Sequence, residues 1–163
     1  MIRPGTGRDS ADMGRVYCLA WQQAYAGIVP GEFLKALRPE ECAPPPEKVT
    51  PGSCRVYEAD GRVVGLVNFG PGRDDDAGGL AEVRTIYVLP EYWRRGIGRA
   101  LMRAAADAVR DAGYPGYFLW VLTENARARR FYESVGLCFS GETRVKEIAG
   151  KPLSESRYIL NFE

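Results

Sequence analysis

Histidine is absent from all 163 residues of this chain. That absence removes Ser-His-Asp and Cys-His nucleophile–base pairs, together with every histidine-ligated metal site. Cysteine is sparse: Cys18, Cys42, Cys54 and Cys138 stand far apart with no CxxC pair. A disulfide framework or zinc ligand set is therefore not expected, and reduced thiols are the default. No Gly-Lys-Ser/Thr of a P-loop occurs, and no apolar run approaches the ~20 residues that cross a bilayer. The opening Met1-Ile2-Arg3-Pro4-Gly5 lacks the apolar core of a secretion signal. Lys and Arg number 22 against 21 Asp and Glu, a formal charge of +1, which leaves no global field for nucleic acid. These gaps point to a cytoplasmic protein with no metal, no nucleic-acid partner and no membrane attachment. Proton transfer must fall to a carboxylate, tyrosine, cysteine, lysine or water.

The length fits one domain, residues 1–163, without repeat or linker. Strands are expected at Ile2–Arg3, Ser53–Ala59, Val63–Phe69, Ala81–Val88 and Tyr117–Leu122, with a closing hairpin at Phe139–Ile148 and Arg157–Phe162. Asp60-Gly61 is a strong hairpin turn. Helices are expected from Asp9 or Ser10 to about Ala26, from Pro30 or Gly31 to Leu37, from Gly98 to Ala112 and from Ala126 to Val135. The run from Pro71 to Gly79, with Asp74-Asp75-Asp76, is expected to be a hydrated loop. Mixed strands and helices in this order suit an α+β sheet, an α/β/α sandwich with helices on both faces.

The most informative stretch runs from Tyr87 to Met102, Tyr-Val-Leu-Pro-Glu-Tyr-Trp-Arg-Arg-Gly-Ile-Gly-Arg-Ala-Leu-Met. An apolar strand ends at Pro90, passes a cationic glycine turn and opens into an amphipathic helix. Gly96 and Gly98 let the backbone aim successive N–H groups at one spot, and the helix adds the positive end of its dipole. Arg94, Arg95 and Arg99 crowd the same turn. Such a turn is a seat for an anion, a pyrophosphate in particular.

This turn resembles the acyl-CoA-binding motif of the GNAT superfamily of N-acetyltransferases, Gln/Arg-x-x-Gly-x-Gly/Ala, with Trp93 at the usual Gln or Arg position. A second block, from Leu119 through Asn125, Ala128, Phe131, Tyr132 and Gly136 to Leu137, is similar to the family's strand–Asn-x-x-Ala-x-x-Phe-Tyr-x-x-x-Gly-Phe pattern, with Leu137 replacing Phe. The resemblance covers roughly Ala81–Leu137. It implies a GNAT-like, mostly antiparallel sheet whose two central strands splay apart to admit the pantetheine arm.

Residue by residue, the resemblance implies that backbone groups of Ile86, Tyr87 and Val88 pair with pantetheine, and that Arg94, Arg95, Gly96, Ile97, Gly98 and Arg99 surround the diphosphate. Arg103 and Arg130 then lie toward the outlying 3′-phosphate. Asn125 is placed both as a helix cap and as a contact to the cofactor arm, and Tyr132 as the acid that protonates the departing thiolate. Glu82, in the strand before the turn, matches the position of a catalytic glutamate; the alternative is a solvated pair with Arg84. Trp21 and Tyr25, spaced i, i+4, are expected to pack or to wall the acceptor pocket. The implied activity is acetyl transfer from acetyl-CoA to a primary amine of a small molecule or peptide, by direct attack without an acyl-enzyme. A non-catalytic acyl-CoA sensor of the same fold is the alternative. A third reading is a partner-binding domain whose exposed last strand pairs with a second subunit, as in a homodimer.

Overall fold

A computed structural model describes the chain from Met1 to Glu163. The first half runs β1 (Ile2–Pro4), α1 (Ser10–Ala24), α2 (Gly31–Ala36), α3 (Pro39–Cys42), β2 (Cys54–Ala59), β3 (Arg62–Pro71) and β4 (Ala81–Val88). The second half runs α4 (Ile97–Asp111), β5 (Gly116–Leu122), α5 (Ala126–Ser134), β6 (Cys138–Ile148) and β7 (Lys151–Asn161). The strands form one seven-stranded sheet in the order β1-β2-β3-β4-β5-β7-β6. Every neighbouring pair is antiparallel except β4 and β5.

Asp60 and Gly61 join β2 to β3 with φ of 51° and 74°. Positive φ at both positions matches a tight turn to the twist of its strands. β3 is buried without alternation from Val63 to Val67, as expected of a strand covered on both faces. On one face Leu66 pairs with Tyr87, and the Tyr87 ring meets Tyr17 of α1 edge-on at 5.0 Å. On the other, a Cβ added to Gly65 would lie 3.1 Å from Leu101 and 3.3 Å from Ile97 of α4. Helix α4 buries Ile97, Leu101, Met102, Ala105 and Val109, an i, i+4 stripe that fixes its rotation on the sheet. At the end of the helix Val109 is buried, whereas Ala112 is an exposed cap.

β4 and β5 share only the register pairs Ala81–Tyr117 and Glu82–Phe118. One residue earlier on the β3 side, Asn68 faces Thr85 but Phe69 faces Val83, leaving Arg84 as a bulge. A bulge adds twist and re-aims the strand. The two central strands therefore meet at one end and diverge at the other, as the GNAT resemblance implied.

Two expectations are corrected. The last strand begins at Lys151, not Arg157, and lies inside the sheet between β5 and β6; the exposed edge is β6, so no edge pairing through the last strand is available. The acidic loop is bound, not merely hydrated. Asp74 accepts from Trp120 Nε1 at 2.8 Å, and Asp76 and Asp74 pair with the buried Arg157. Glu142 of β6 pairs with the same guanidinium.

Candidate active site

Beyond Glu82 the β5-facing edge of Val83–Val88 has no strand partner. Unpaired edge groups in a dry interior are costly, so such an edge is a template for an extended ligand. A cavity of about 140 Å³ occupies the gap, walled by Val83–Tyr87 of β4 and Leu119–Leu122 of β5. On the α4–α5 face it meets Asn125, Ala128 and Tyr132; on the α1 face it meets Trp21, Tyr25, Ile148 and Glu155. It thus passes through the sheet from one face to the other.

At the far end of β4, Trp93 Nε1 donates to the Val88 carbonyl at 2.8 Å, and the Arg127 guanidinium lies 3.6 Å from the Trp93 ring centroid. Trp93 therefore pins the strand end to the turn. Arg94 has φ 62°, and Gly96, with φ 79° and ψ 0°, is the left-handed N-cap of α4. The first bond of the helix runs from Ala100 N to Gly96 O at 3.0 Å, so the amides from Arg94 to Arg99 have no backbone acceptor. These free donors lie at the positive helix end, where anions are favoured. Gly98 has a packing reason as well: an added Cβ would come 3.2 Å from the Phe131 ring. The arginines divide. Arg94 and Arg95 are exposed, Arg95 over the Tyr92 ring, while Arg99 donates to the Ser134 carbonyl at 3.2 Å and ties α4 to α5.

Asn125 is buried; its Oδ1 accepts from Ala128 N at 3.2 Å, capping α5, while its side chain borders the cavity. Tyr132 also borders the cavity. Burial pushes its phenol up, the neighbouring Tyr25 adds to this, and Arg127 only partly opposes it. Tyr25 and Tyr87 are raised by burial in the same way, and each hydroxyl feels the other. Three protonated phenols thus share the space.

Glu82 is not brought to the cavity. Its side chain is 3% exposed, at the closed end of the strand pair. Arg73 Nε and Nη2 donate to its two oxygens at 2.9 and 2.7 Å, and the Arg73 amide adds a third bond at 3.2 Å. Burial raises its pKa, yet the bonds and charge of Arg73 outweigh that and hold the carboxyl below its ordinary value. A carboxylate so engaged is a weak proton acceptor. Neither does Glu82 pair with Arg84, which donates to the Pro71 carbonyl.

The carboxylate that does border the cavity is Glu155, opposite Leu122 on β7. It is 6% exposed, and its Oε2 accepts from Arg144 Nε at 2.7 Å. It lies outside the strand expected to begin at Arg157. The alternation of Leu153, Glu155 and Arg157 with Ser154 and Ser156 was the available signal. Trp21 and Tyr25, by contrast, are packed together at 4.7 Å and also wall the cavity.

Residues 16–137 match the model of the acetyltransferase (GNAT) family. The chain belongs to this family. It is 30% identical over 125 residues to the uncharacterized N-acetyltransferase YuaI of Bacillus subtilis, covering 76% of this chain and 72% of YuaI. It is 36% identical over 121 residues to the streptothricin acetyltransferase of Streptomyces lavendulae, covering 65% of this chain and 64% of that one. Against other curated relatives, from mycobacteria, it spans about half their length. Among solved structures, the putative acetyltransferase yncA of Salmonella typhimurium with acetyl-CoA aligns at TM-score 0.71 and 22% identity, covering 100% of this chain and 94% of that one. The PaiA N-acetyltransferase of Thermoplasma acidophilum with coenzyme A aligns at 0.70 and 21%, covering 96% of each. This GNAT chain is thus an acyltransferase by family. It has no helix long and apolar enough to cross a membrane.

Proposed function

We propose that this chain transfers an acetyl group from acetyl-CoA to a primary amine by direct attack. One observation carries the reading: the unpartnered amides of Arg94–Arg99 follow directly on β4, whose free edge lines a cavity that reaches from Asn125 and Tyr132 to Trp21 and Tyr25. A diphosphate on the amides of Arg94–Arg99 directs the pantetheine arm along Ile86, Tyr87 and Val88, with Asn125 beside it. The thioester then arrives within the cavity next to Tyr132, and the amine enters from the α1 face. Holding both reactants in line supplies most of the acceleration.

The chemistry places limits on the remaining groups. The amine nitrogen attacks the thioester carbonyl carbon; the C–N bond forms, the C–S bond breaks, and the electron pair leaves on sulfur. Tyr132, protonated in its buried setting, gives its hydrogen to that sulfur and regains one from the nitrogen. A thiolate whose conjugate acid has a pKa of ~8.5 is already a fair leaving group, so this help is modest. An alkylamine with pKa ~10.4 is only about 0.1% neutral near physiological pH, so its first proton must also be taken up. Glu82, held by Arg73, is assigned here to fixing the closed end of the sheet. Relatives named for streptothricin and, in Escherichia coli, for L-amino acids make small-molecule amines the first acceptors to try, with peptide amines after them.

Titration calorimetry with acetyl-CoA, followed by thiol release against a panel of amines, tests the proposal. Saturable binding and release with at least one amine are expected. Binding without release for every amine, peptide N-termini included, would make the chain a sensor of acyl-CoA and overturn it.

A further inference from the structure

We infer that Glu155 is the group on the acceptor side that receives the amine and takes its first proton. The inference rests on the acetyl-transfer reading above and adds to it the proton acceptor that Glu82 does not provide. Among the residues that border the cavity, Glu155 is the one carboxylate, against the cations Arg84, Arg127 and Lys146. β7 holds it in register with Leu122 and Arg144, where the splayed strands are furthest from their paired end. Arg144 Nε engages Oε2 alone, and no protein donor reaches Oε1. A buried carboxylate with one oxygen fixed and the other open is oriented yet still able to accept.

The surroundings fit an ammonium. Trp21, Tyr25 and Tyr87 wall the space next to it, and aromatic faces favour a desolvated cation. Tyr25 lies near enough to feel the Glu155 charge. The indole Nε1 of Trp21 is buried without a partner, a donor left for the ligand or for a water beside it. In the step, an ammonium donates one hydrogen to Oε1 and becomes a neutral amine. Its lone pair attacks the thioester, and its second hydrogen leaves through Tyr132 to sulfur. Glu155 afterwards releases its proton to solvent, so the cycle yields amide, free thiol and one proton.

The charged and titratable groups facing Glu155 are Arg144 and Lys146 from β6, Tyr25 from α1, Arg127 and Tyr132 from α5, and Arg84 and Tyr87 from β4. Behind Arg144 stand Asp74, Arg73 and Arg157. None of the other groups bordering the cavity is a carboxylate, so removing Glu155 leaves no substitute acceptor.

The test compares wild type with Glu155→Gln in the 163-residue chain, using the best amine from the panel. kcat/KM is measured from pH 6 to 10, acetyl-CoA Kd by calorimetry and folding by thermal melting. Glu155→Gln is expected to lose about 100-fold in kcat/KM near neutral pH, at the lower end of general-base effects. The deficit should shrink about tenfold per pH unit toward the amine pKa, because a pre-deprotonated amine needs no base. Acetyl-CoA Kd should stay within twofold. A kcat/KM within threefold of wild type, or a deficit equal at every pH, would overturn the inference, the latter marking a structural role. Should the Gln variant not fold, Glu155→Asp decides: a loss of about tenfold is expected, and none would overturn it. Wild-type protein inert toward all amines would instead overturn the transfer reading, and this inference with it.

Discussion

The anion seat at the start of α4 is built mostly from main chain, whereas the cavity mouth on the α1 face is built from side chains of distant segments. The first depends on one short run, Trp93–Arg99, whose amides from Arg94 to Arg99 stay free because Gly96 takes φ 79° and no side chain caps the helix. The second draws Trp21 and Tyr25 from α1, Tyr87 from β4, and Ile148 and Glu155 from β6 and β7. In the proposed reading, main chain recognises what every acyl-CoA shares, a diphosphate and an amide-bearing arm. Side chains can change one by one, so acceptor choice belongs to that mouth. A backbone site should fail through conformation, a side-chain site through chemistry.

The sharpest break is expected from Gly96→Val. A β-branched residue at this φ costs about 1–3 kcal/mol and swings the amides away from one another. Acetyl-CoA Kd should weaken by about 100-fold in calorimetry; an unchanged Kd would refute dependence on the turn. Tyr132→Phe is expected to lower kcat about 10- to 100-fold, with acetyl-CoA Kd and melting temperature unchanged, and full turnover would remove the acid role. Glu82→Gln sharpens the comparison from outside either region. Turnover and its pH profile should hold within threefold, while folding weakens by about 1–3 kcal/mol for the lost buried acceptor, trimmed because Arg73 is largely exposed. Since the folded-state pKa of Glu82 lies below its ordinary value, its stabilisation is present above the unfolded pKa of ~4.3 and lost as pH falls through the folded value. Thermal melts of wild type should therefore decline over that acid window, and the Gln variant should lack that part of the decline.

The same division explains what the sequence made visible. β4, α4 and α5 are legible to within about a residue because each carries its own periodicity and its own stop, Pro90, Gly113 or Gly136. The glycine turn is legible because its chemistry is contiguous. β7 is harder: Lys151-Pro152 opens it and polar residues alternate along it, so apolar pattern alone finds only its second half. The role of Glu82 was hidden for a different reason. Its partner Arg73 comes from the loop after β3, and nothing in the spacing shows that the loop curls back over it. Glu155 joins the cavity only because β7 inserts between β5 and β6, a fact of topology rather than of motif. Trp93, the departure from the family pattern, gains its explanation from the Val88 carbonyl and the Arg127 guanidinium that meet it in space.

The junction of β4 and β5 has a mechanical side. Two register pairs are all the strand pairing between the β1–β4 half of the sheet and the β5–β7 half; elsewhere the halves are coupled through helices lying across them and through the loop after β3, whose Asp74 and Asp76 hold Trp120 and Arg157. A ligand bonded to both free edges acts as a rivet between two plates hinged at one corner. Resistance to unfolding then becomes a gauge of occupancy, rising by RT ln(1 + [L]/Kd), about 2.7 kcal/mol at a hundredfold excess over Kd.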